Sequence, residues 1–573
     1  MNRITPQLLV RIVVGLFGVL VTLLCDASIF NADHWQPNAW GGAKYEAYPT
    51  RICSQDGIDG YYFQLNGRAA GDVEVTLPGV LQPGKAYQFS LWLKAAKGTP
   101  SVDVFFRRDA AYYETTAIST AASSSNWSLV QVRGIYTLSS SGSVRLALHQ
   151  LGSAVCVGRA QLEEIDPHSI GNPGQTSPVG VRFFGTHLNQ LGRHSAWPNF
   201  NPDMIRLWDS GTTWADLQPT RGPINWSGPH ARRLDLFVRH VQSNNPAGGL
   251  MLTLGMTPAW AGSAHPNHCN DSSYGPSICT APLNIDDWRA YVREIAKRYS
   301  GRIKYWEVWN EADIWMLWSD TPQKMVELVR VAYEELKAAD PTNIVIGPNV
   351  TTNGMRFLND FLRAGGGAYV DGISVHAYFF RNPESALGSL RNIRETLKTK
   401  GLSLTIWNTE TGVGCDTEEP QCAKRANVLR ADVAVAQSLI GSAALGIENF
   451  GYYTWEGAGG EGLIASDFST PTAQGLAYAR VRRWIDGATV TYMADPAEGV
   501  TLIQVLRSGS RAYIAWASKD GAMLSTSAVQ GAVRCQTLTI RSDRPIPQNQ
   551  IVFGVEPIIC MDDGFVFEDR WAR

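Results

Sequence analysis

Two glutamate-containing motifs carry the residue types that acid–base and nucleophilic chemistry requires. The first is YWEVWNE at residues 305–311, which ends in Glu311, and the second is TIWNTETG at residues 405–412, which contains Glu410. Cleavage of a glycosidic bond needs one protonated carboxyl group that assists the leaving oxygen. It also needs a second, ionised one that attacks the anomeric carbon or activates water. The two motifs therefore predict a glycosidase site, provided that the fold brings both glutamates together.

The elements around the motifs predict an α/β fold, a (β/α)8 barrel over residues 178–487. Apolar strands alternate there with amphipathic helices, which indicates parallel strands covered by an outer ring of helices. The candidate strands are residues 181–185, 204–207, 250–254, 303–308, 344–346, 372–375, 403–407 and 447–454, and the clearest helices are 232–242, 286–299, 322–339, 385–400, 425–445 and 472–485. A doubly wound open sheet is the alternative, but no glycine-rich phosphate loop follows the first strand.

Barrel topology gives the two glutamates a common location. Active sites of such barrels lie at the C-terminal ends of the strands. Glu311 ends the fourth strand and Glu410 the seventh, so the two can face each other across the barrel mouth. A separation of roughly 5–5.5 Å would predict retention of the anomeric configuration. Glu307 lies deeper in the fourth strand and is interpreted as a buried structural group, whereas Glu448 and Glu456 near the eighth strand have less support as catalytic groups.

Both motifs resemble those of a known enzyme family. The Trp309-Asn310-Glu311 triplet on strand four and the glutamate that ends strand seven resemble the clan A glycoside hydrolases, and within them family 39. The resemblance implies a retaining enzyme with Glu311 as acid/base and Glu410 as nucleophile, and a hydrogen bond from Asn310 to the 2-hydroxyl of the reacting sugar. Glu311 is followed by Ala-Asp rather than the common Pro-Asn, so the local loop is expected to differ.

The same resemblance implies further substrate-binding residues at strand ends. Arg206 ends strand two, where a guanidinium near the nucleophile would keep that carboxylate ionised. Five tryptophans could offer apolar faces on which sugar rings stack, although some must be core: Trp214, Trp260, Trp309, Trp407 and Trp455. The expected substrate-binding set is Asn310, Arg206, His187, His376, Tyr378, Trp214 and Trp455. No metal or organic cofactor is implied.

The flanking regions predict two β-domains. Residues 38–165 alternate apolar and polar types in short runs separated by turn signals, which is typical of a β-sandwich. The stretch at residues 83–94, with Trp127 later, resembles jelly-roll carbohydrate-binding modules of the family 4/9 type, and a purely structural sandwich is the alternative. A truncated chain that starts near Ile170 is expected to keep activity on short oligosaccharides, provided that the sandwich covers no apolar barrel surface. Residues 488–573 predict a small C-terminal β-sandwich.

Composition and the N-terminal segment indicate where the protein is located and which class of partner it does not bind. The 573-residue chain has a formal net charge of -2, which gives no electrostatic footprint for nucleic acid. Residues 1–27 predict a signal peptide or an inner-membrane anchor, because basic residues precede a charge-free apolar run at 12–25. The protein is therefore expected to be exported, either periplasmic or secreted.

The cysteines agree with export. Eight of the nine fall into neighbouring pairs, as disulfides in an oxidising compartment would. The proposed pairs are Cys53 with Cys156, Cys269 with Cys279, Cys415 with Cys422, and Cys535 with Cys560. No Cys-x-x-Cys or Cys/His spacing indicates a zinc site.

These observations lead to one functional prediction and two alternatives. The prediction is a retaining glycoside hydrolase that cleaves a polysaccharide, an endo-acting bacterial exopolysaccharide hydrolase. The alternative within the same class is an exo-acting β-xylosidase or α-iduronidase-like enzyme. A non-catalytic polysaccharide-binding protein is the alternative of another class, although a binding-only barrel has no need for the glutamate pair.

Overall fold

The computed structural model describes most of the chain from Trp35 onwards. The described residues are 35–39, 44–49, 53, 60–66, 71–75, 81–108, 114–121, 126–137, 141–149, 152–166, 170, 174–263, 269, 278–379, 383–413, 430–457, 462–493, 499–540 and 542–567. The apolar run at residues 12–25 and the predicted Cys415–Cys422 pair lie outside them. Within them, every helix is too short or too polar to cross a bilayer.

Two antiparallel five-stranded sheets occupy the region for which the sequence predicts a sandwich. One sheet has the strand order β1-β4-β9-β6-β7 and the other β2-β3-β10-β5-β8. The strands are β1 (Trp35–Ala39), β2 (Lys44–Pro49), β3 (Gly60–Asn66), β4 (Gly71–Val75), β5 (Ala86–Lys97), β6 (Ser101–Arg108), β7 (Glu114–Ala121), β8 (Ser128–Ile135), β9 (Gly142–His149) and β10 (Ala154–Ile165). Alternate side chains, such as Val102 and Val104 of β6, form the core between the sheets because successive residues of a strand point to opposite faces.

The central region is a closed parallel barrel, which confirms the predicted fold class. Its eight strands pair in chain order, and the last pairs with the first. They are β12 (Phe184–His187), β13 (Met204–Leu207), β14 (Gly249–Leu254), β15 (Tyr305–Val308), β16 (Ile344–Thr351), β17 (Gly372–His376), β18 (Thr405–Thr411) and β19 (Asn449–Tyr452). Most of their residues are buried whichever way they point, because helices cover the outside and side chains fill the inside.

The helices differ from the prediction at two places. They are α1 (Trp214–Leu217), α2 (Pro229–Asn244), α3 (Ile285–Arg298), α4 (Pro322–Ala339), α5 (Met355–Arg363), α6 (Pro383–Thr399), α7 (Ala431–Ala444) and α8 (Ala473–Ile485), with short 3-10 turns at Gly366–Tyr369 and Thr526–Ala528. No helix follows the first barrel strand, because residues 188–203 form turns instead. The expectation of a complete strand–helix unit there is wrong, and α5 is a helix that the sequence analysis did not identify.

The C-terminal region forms a seven-stranded sheet, which shares a hydrophobic core with a smaller sheet as a small sandwich does. Its order is β11-β20-β21-β22-β27-β24-β25, beside a two-stranded sheet of β23 and β26. The strands are β11 (Thr176–Pro178), β20 (Thr489–Tyr492), β21 (Val500–Arg507), β22 (Ser510–Ala517), β23 (Ala522–Ser525), β24 (Arg534–Thr537), β25 (Arg544–Pro545), β26 (Gln550–Phe553) and β27 (Ile558–Met561). Strand β11 precedes the barrel in the chain, so this segment ties the tail sheet to the start of the barrel.

Three of the four proposed disulfides lie within the described residues. Cys53 is bonded to Cys156, Cys269 to Cys279, and Cys535 to Cys560. The first secures β10 of the sandwich, the second lies in the segment that follows barrel strand β14, and the third joins the neighbouring strands β24 and β27. The bonded pairs are those that the sequence predicts.

The N-terminal sandwich packs on the barrel through the outer face of β6 and β9. Phe105 and Ala147 are fully buried in the core cluster of the barrel rather than in that of the sandwich. Asp103, also fully buried, accepts two hydrogen bonds of 2.5 and 2.6 Å from Arg363 at the end of α5. The side chain of Asn392 on α6 bonds both the N–H and the C=O of Ile135, at 2.9 and 3.1 Å.

A chain truncated near Ile170 is expected to stay active only if the sandwich covers no apolar barrel surface. This contact shows that the condition is not met. The sandwich covers apolar barrel surface, and burial of a phenylalanine contributes about 1.5–3 kcal/mol. Gly388 on α6 shows how close the approach is, because a Cβ there would lie 2.8 Å from Cγ2 of Thr137. Removal of the sandwich would expose the barrel surface that Phe105 covers and leave Arg363 without Asp103, so we now expect the truncated chain to be poorly soluble.

The docking contact can be tested with Arg363→Ala. The substitution removes the guanidinium that is hydrogen-bonded to the buried Asp103, and breaking a buried pair costs about 3–5 kcal/mol. Because Arg363 is 31% exposed, we expect the free energy of the first urea unfolding transition to fall by about 2–3 kcal/mol. Arg330→Ala removes an exposed helical pair with Glu334 and should cost under about 0.5 kcal/mol. Equal losses in the two variants would contradict the docking role.

Candidate active site

The C-terminal ends of four barrel strands bring the predicted site residues together. Arg206 lies on β13, Glu311 three residues beyond the end of β15, His376 at the end of β17 and Glu410 on β18. Trp309 and Glu311 adopt left-handed backbone conformations, with φ of 68° and 43°. Such conformations cost roughly 1–3 kcal/mol each and are held only where the surroundings determine them.

Asn349 on β16 holds the backbone at Glu311. Its side-chain oxygen accepts the N–H of Glu311 at 2.7 Å, and its backbone oxygen accepts the N–H of Ala312 at 2.8 Å. The N–H of Trp309 donates to the backbone oxygen of Leu254 at 2.7 Å. These bonds fix the turn that aims Glu311 at the barrel mouth.

Arg206 is the central group of the site. Its Nε lies 2.7 Å and one terminal nitrogen 2.6 Å from Oε2 of Glu307. The other terminal nitrogen donates to Oε2 of Glu410 at 2.8 Å, and a 2.6 Å bond reaches the side-chain oxygen of Asn310. Arg206 is buried, and a planar guanidinium can hold all three partners in fixed directions. One cation therefore orients both the catalytic candidate Glu410 and the residue next to Glu311.

Glu307 is a structural carboxylate, which agrees with its interpretation from the sequence. It is fully buried and accepts hydrogen bonds from hydroxyl groups of three strands: Thr253 at 2.7 Å, Ser374 at 2.5 Å and Thr409 at 2.7 Å. Burial acts to raise its pKa, but Arg206 and the hydroxyl donors outweigh it and hold the pKa of Glu307 below its ordinary value. The group is therefore ionised, and its oxygens are engaged by the protein rather than directed at a substrate.

Glu311 and Glu410 face each other with His376 between them. Nδ1 of His376 lies 2.9 Å from Oε1 of Glu311 and 3.7 Å from Oε1 of Glu410. One carboxylate oxygen of each glutamate and a nitrogen of His376 all lie within 4.8 Å of one another. In retaining glycosidases the carboxyl groups lie about 5–5.5 Å apart, against about 6.5–9.5 Å in inverting ones. The geometry fits retention.

The surroundings assign different protonation states to the pair. Burial raises the pKa of Glu311 to about 7, with Arg206 opposing and Asp209 reinforcing the shift. Burial also raises the pKa of Glu410, but His376 and Arg206 act against it, and so does a 2.7 Å hydrogen bond donated by the hydroxyl of Tyr378. Of the two carboxyl groups, Glu410 is the one that accepts hydrogen bonds from a guanidinium and a phenol, which stabilise its ionised form. When the pair holds one proton, that proton therefore resides on Glu311.

The same three donor atoms could hold a metal ion, but their existing bonds favour proton chemistry. Both oxygens of Glu410 already accept hydrogen bonds, one from Arg206 and one from Tyr378. A cation beside this carboxylate would lie close to the buried guanidinium and be repelled by it. Burial lowers the pKa of His376 to about 4, so its ring is neutral at neutral pH and bonds to Glu311 directly. The absence of a metal stays a prediction.

The structure places the remaining predicted residues at different depths. Tyr378 contacts Glu410 directly, and the side-chain oxygen of Asn310 accepts a hydrogen bond from Arg206 at 2.6 Å. His187 is fully buried, and its Nε2 lies 3.0 Å from the backbone oxygen of Thr409 on β18. Trp455 is nearly buried and packs on Phe200, with ring centres 5.3 Å apart.

Trp214 does not belong to the site. Its side chain is fully buried at the start of α1, where its ring stacks on Tyr291 with centres 5.1 Å apart and contacts Trp288. A ring enclosed in this way cannot receive a sugar, so the expectation of substrate binding is wrong for this residue. Trp407 is likewise buried, below the site with Met204 and Met251.

Two residues that the sequence analysis missed lie at the site. The hydroxyl of Tyr453 donates to Oδ2 of Asp209 at 2.7 Å, and the ring of Tyr453 packs on that of His187. Both follow barrel strands closely, Asp209 after β13 and Tyr453 after β19. Their position just beyond a strand end is the sequence signal that could have identified them as site residues. Asp209 adds negative charge near Glu311.

The other glutamates near strand eight have structural partners. Glu448 forms an ion pair with Arg182. Glu456 accepts the backbone N–H groups of Asn189 and Gln190 at 2.9 and 3.2 Å and also bonds the hydroxyl of Ser195. Glu456 thereby holds the turns that replace the missing helix after β12.

Comparison with known proteins yields similar solved structures but no family assignment. No family profile matches the chain, and no curated protein is similar to it. A GH39 β-xylosidase from Caulobacter crescentus aligns with 16% identity and a TM-score of 0.49, over 68% of this chain and 97% of that one. The GH39 enzyme from Xanthomonas axonopodis pv. citri aligns with 15% identity and a TM-score of 0.48, over 69% and 95%. A GH30 endoxylanase from Clostridium papyrosolvens C71 aligns with 12% identity and a TM-score of 0.46, over 69% of this chain and 98% of that one.

Two of these similar structures are GH39 enzymes, and GH39 is the family that the two motifs resemble. At such low identities the roles of individual residues rest on the geometry of this site, not on the alignments.

The protonation state of Glu311 can be measured directly by infrared spectroscopy. We expect a protonated-carboxyl band that disappears as the pH rises through about 7, because burial raises the pKa of Glu311 to that value. The spectrum of the Glu311→Gln protein identifies the band, since it should lack that band alone. A Glu311 band lost near the ordinary glutamate value of 4.5 would contradict the assignment.

Proposed function

We propose that the protein is a retaining glycoside hydrolase that acts on a polysaccharide, with Glu311 as acid/base and Glu410 as nucleophile. One observation carries the proposal: two carboxyl groups have oxygens within 4.8 Å of each other at the mouth of the barrel, and their partners give them opposite protonation states. That combination is what double displacement at an anomeric carbon requires.

In the first step, Glu410 attacks the anomeric carbon while Glu311 gives its proton to the leaving oxygen. The glycosidic bond breaks, a glycosyl ester forms on Glu410, and the departing sugar carries the proton from Glu311. Arg206 and Tyr378 bind the two oxygens of Glu410 and so hold the carboxylate in one orientation, which reduces the entropy cost of attack.

In the second step, the role of Glu311 reverses. Loss of its proton leaves Glu311 ionised, and it takes a proton from water as that water attacks the anomeric carbon of the ester. The bond between the anomeric carbon and Glu410 breaks, and Glu410 is regenerated as a carboxylate. The sugar leaves with its original anomeric configuration, and Glu311 is protonated again. His376 is a positioning residue here, since its Nδ1 lies 2.9 Å from Glu311 and its N–H can stabilise the ionised form.

The charge of the site favours a neutral sugar. Among the described residues at the carboxylate pair, Arg206 is the cation, and it already binds Glu307, Glu410 and Asn310. Asp209 contributes a further negative charge beside the pair. A uronate at this position would meet carboxylates without an available cationic partner among these residues, which argues against the α-iduronidase-like alternative.

Polysaccharide cleavage outside the cytoplasm is the biological setting that we propose. The disulfides of the described chain suit an oxidising compartment, and the N-terminal segment has the pattern of an export signal or inner-membrane anchor. An exported bacterial enzyme that acts within an exopolysaccharide chain fits both features, and an exo-acting β-xylosidase is the alternative within the class. The N-terminal sandwich contributes at least to barrel stability.

The two glutamates can be separated by their responses to substitution. Glu410→Gln and Glu311→Gln should each lower turnover by at least about 10³-fold, because nucleophile and acid lie on the reaction path. Azide should restore turnover to Glu410→Gly, with a glycosyl azide of inverted configuration as product. New reducing ends from a panel of polysaccharides report hydrolysis, and mass spectrometry detects the glycosyl azide, which has no reducing end.

Glu456→Gln is the matched control, because this buried carboxylate has purely structural partners. Its turnover per folded molecule should stay near that of the wild type. Near-full activity of Glu410→Gln or Glu311→Gln on a substrate that the wild type cleaves would overturn the assignment.

A further inference from the structure

One tryptophan at the barrel mouth is exposed where the others are sheltered. Of the tryptophans whose side chains the structure describes, Trp315 is the one that lies mostly in solvent, 54% exposed, and its neighbour Met316 is 37% exposed. An exposed tryptophan that is held in a fixed position offers a large apolar face, which is why tryptophan is enriched at binding interfaces.

The segment that carries Trp315 is fixed to the acid/base residue itself. The N–H of Ile314 donates to the backbone oxygen of Glu311 at 2.9 Å, and the N–H of Trp318 donates to that of Ile314 at 2.8 Å. Asp313 anchors the same turn to β16, since it accepts the N–H of Thr351 at 2.8 Å and its hydroxyl at 2.6 Å.

The far side of the turn is secured as well. Trp318 packs edge-on against Trp309 with ring centres 4.8 Å apart, and the indole N–H of Trp309 donates to the backbone oxygen of Leu317 at 2.7 Å. The N–H of Ser319 bonds to Cys279 of the disulfide-closed segment. Trp315 is thus presented from a turn with both ends bound, four residues beyond Glu311.

We propose that Trp315 forms a subsite for the leaving-group sugar of the polysaccharide, with a neutral pyranose ring stacked on the indole. The proposal rests on the proposed function, because it requires Glu311 to be the acid. Glu311 protonates the departing oxygen, so the departing sugar lies on the Glu311 side of the site. The C–H face of a pyranose is apolar and matches the face of an indole. The subsite places a chain of at least two residues across the cleavage point.

The test compares substrates with and without a leaving-group sugar. The probes are xylohexaose, cellohexaose and mannohexaose, and the corresponding glycosyl fluorides, in which fluoride replaces the leaving sugar. For the hexasaccharide that the wild type cleaves, Trp315→Ala should lower kcat/KM by about tenfold, the size of one lost stacking contact. The matching fluoride should be hydrolysed at the wild-type rate, and Trp315→Phe should recover most of the hexasaccharide activity.

Leu476→Ala is the control, because Leu476 on α8 is 52% exposed and its loss removes a similar exposed apolar group from another element. This substitution should leave kcat/KM unchanged for both the hexasaccharide and the fluoride. If the wild type cleaves a hexasaccharide and Trp315→Ala cleaves it equally well, the subsite is overturned and the proposed function stands. Equal losses on the hexasaccharide and the fluoride would also overturn it, since they would place the effect on the reacting sugar. If the wild type cleaves none of the probes, the neutral-polysaccharide proposal fails and the subsite with it.

Discussion

The site depends on one buried guanidinium that is shared by two carboxylates. Removing Arg206 from water is costly, and a buried cation is retained only where its charge and its N–H groups are matched. Glu307 and Glu410 supply the charge and Asn310 a further acceptor. The structural carboxylate is as necessary as the catalytic one, because Arg206 would otherwise pair with Glu410 alone. With Glu307 held by hydroxyl groups, Arg206 is fixed, and Glu410 is oriented by a group that cannot move.

The difference between the two catalytic carboxyl groups follows from the same arrangement. Both are buried, and burial favours the neutral form of each. Arg206 contacts Glu410 and leaves Glu311 to a neutral histidine, so a single proton shared by the pair has one preferred position. Asp209 strengthens this preference, since its charge lies near Glu311. In the proposed mechanism, the roles of acid and nucleophile follow from which carboxylate the guanidinium contacts, and a barrel in which Arg206 contacted Glu311 instead would reverse them.

The sequence predicts the parts of this protein that depend on local pattern. Strand β13 and helix α4 have the predicted bounds because apolar spacing and capping residues define them locally, and Glu311 and Glu410 follow from strand-end position. The sequence does not show which strand-end side chains reach the mouth. Trp214 has a suitable residue type, yet its ring is enclosed, because residues distant in sequence such as Tyr291 pack against it.

Long-range packing also explains the contacts between regions that the sequence does not show. In β6 the consecutive residues Phe105 and Phe106 point to opposite faces, one into the barrel and the other into the sandwich core. Two adjacent apolar residues on a strand that otherwise alternates were a signal that both faces are covered. The short strand β11 had no such signal, since its three residues (Thr-Ser-Pro) are typical of a linker and their pairing with β20 is set by the tail sheet.

The proposed double displacement requires a covalent bond between Glu410 and the sugar. A 2-deoxy-2-fluoroglycosyl fluoride, in the xylose or glucose series, reacts in the first step and slows the second, so the intermediate accumulates. Mass spectrometry of the digested protein should find one sugar per chain, attached to the peptide that contains Glu410. Attachment at Glu311 or Glu307, or turnover of the natural linkage with inversion and no attached sugar, would contradict the account.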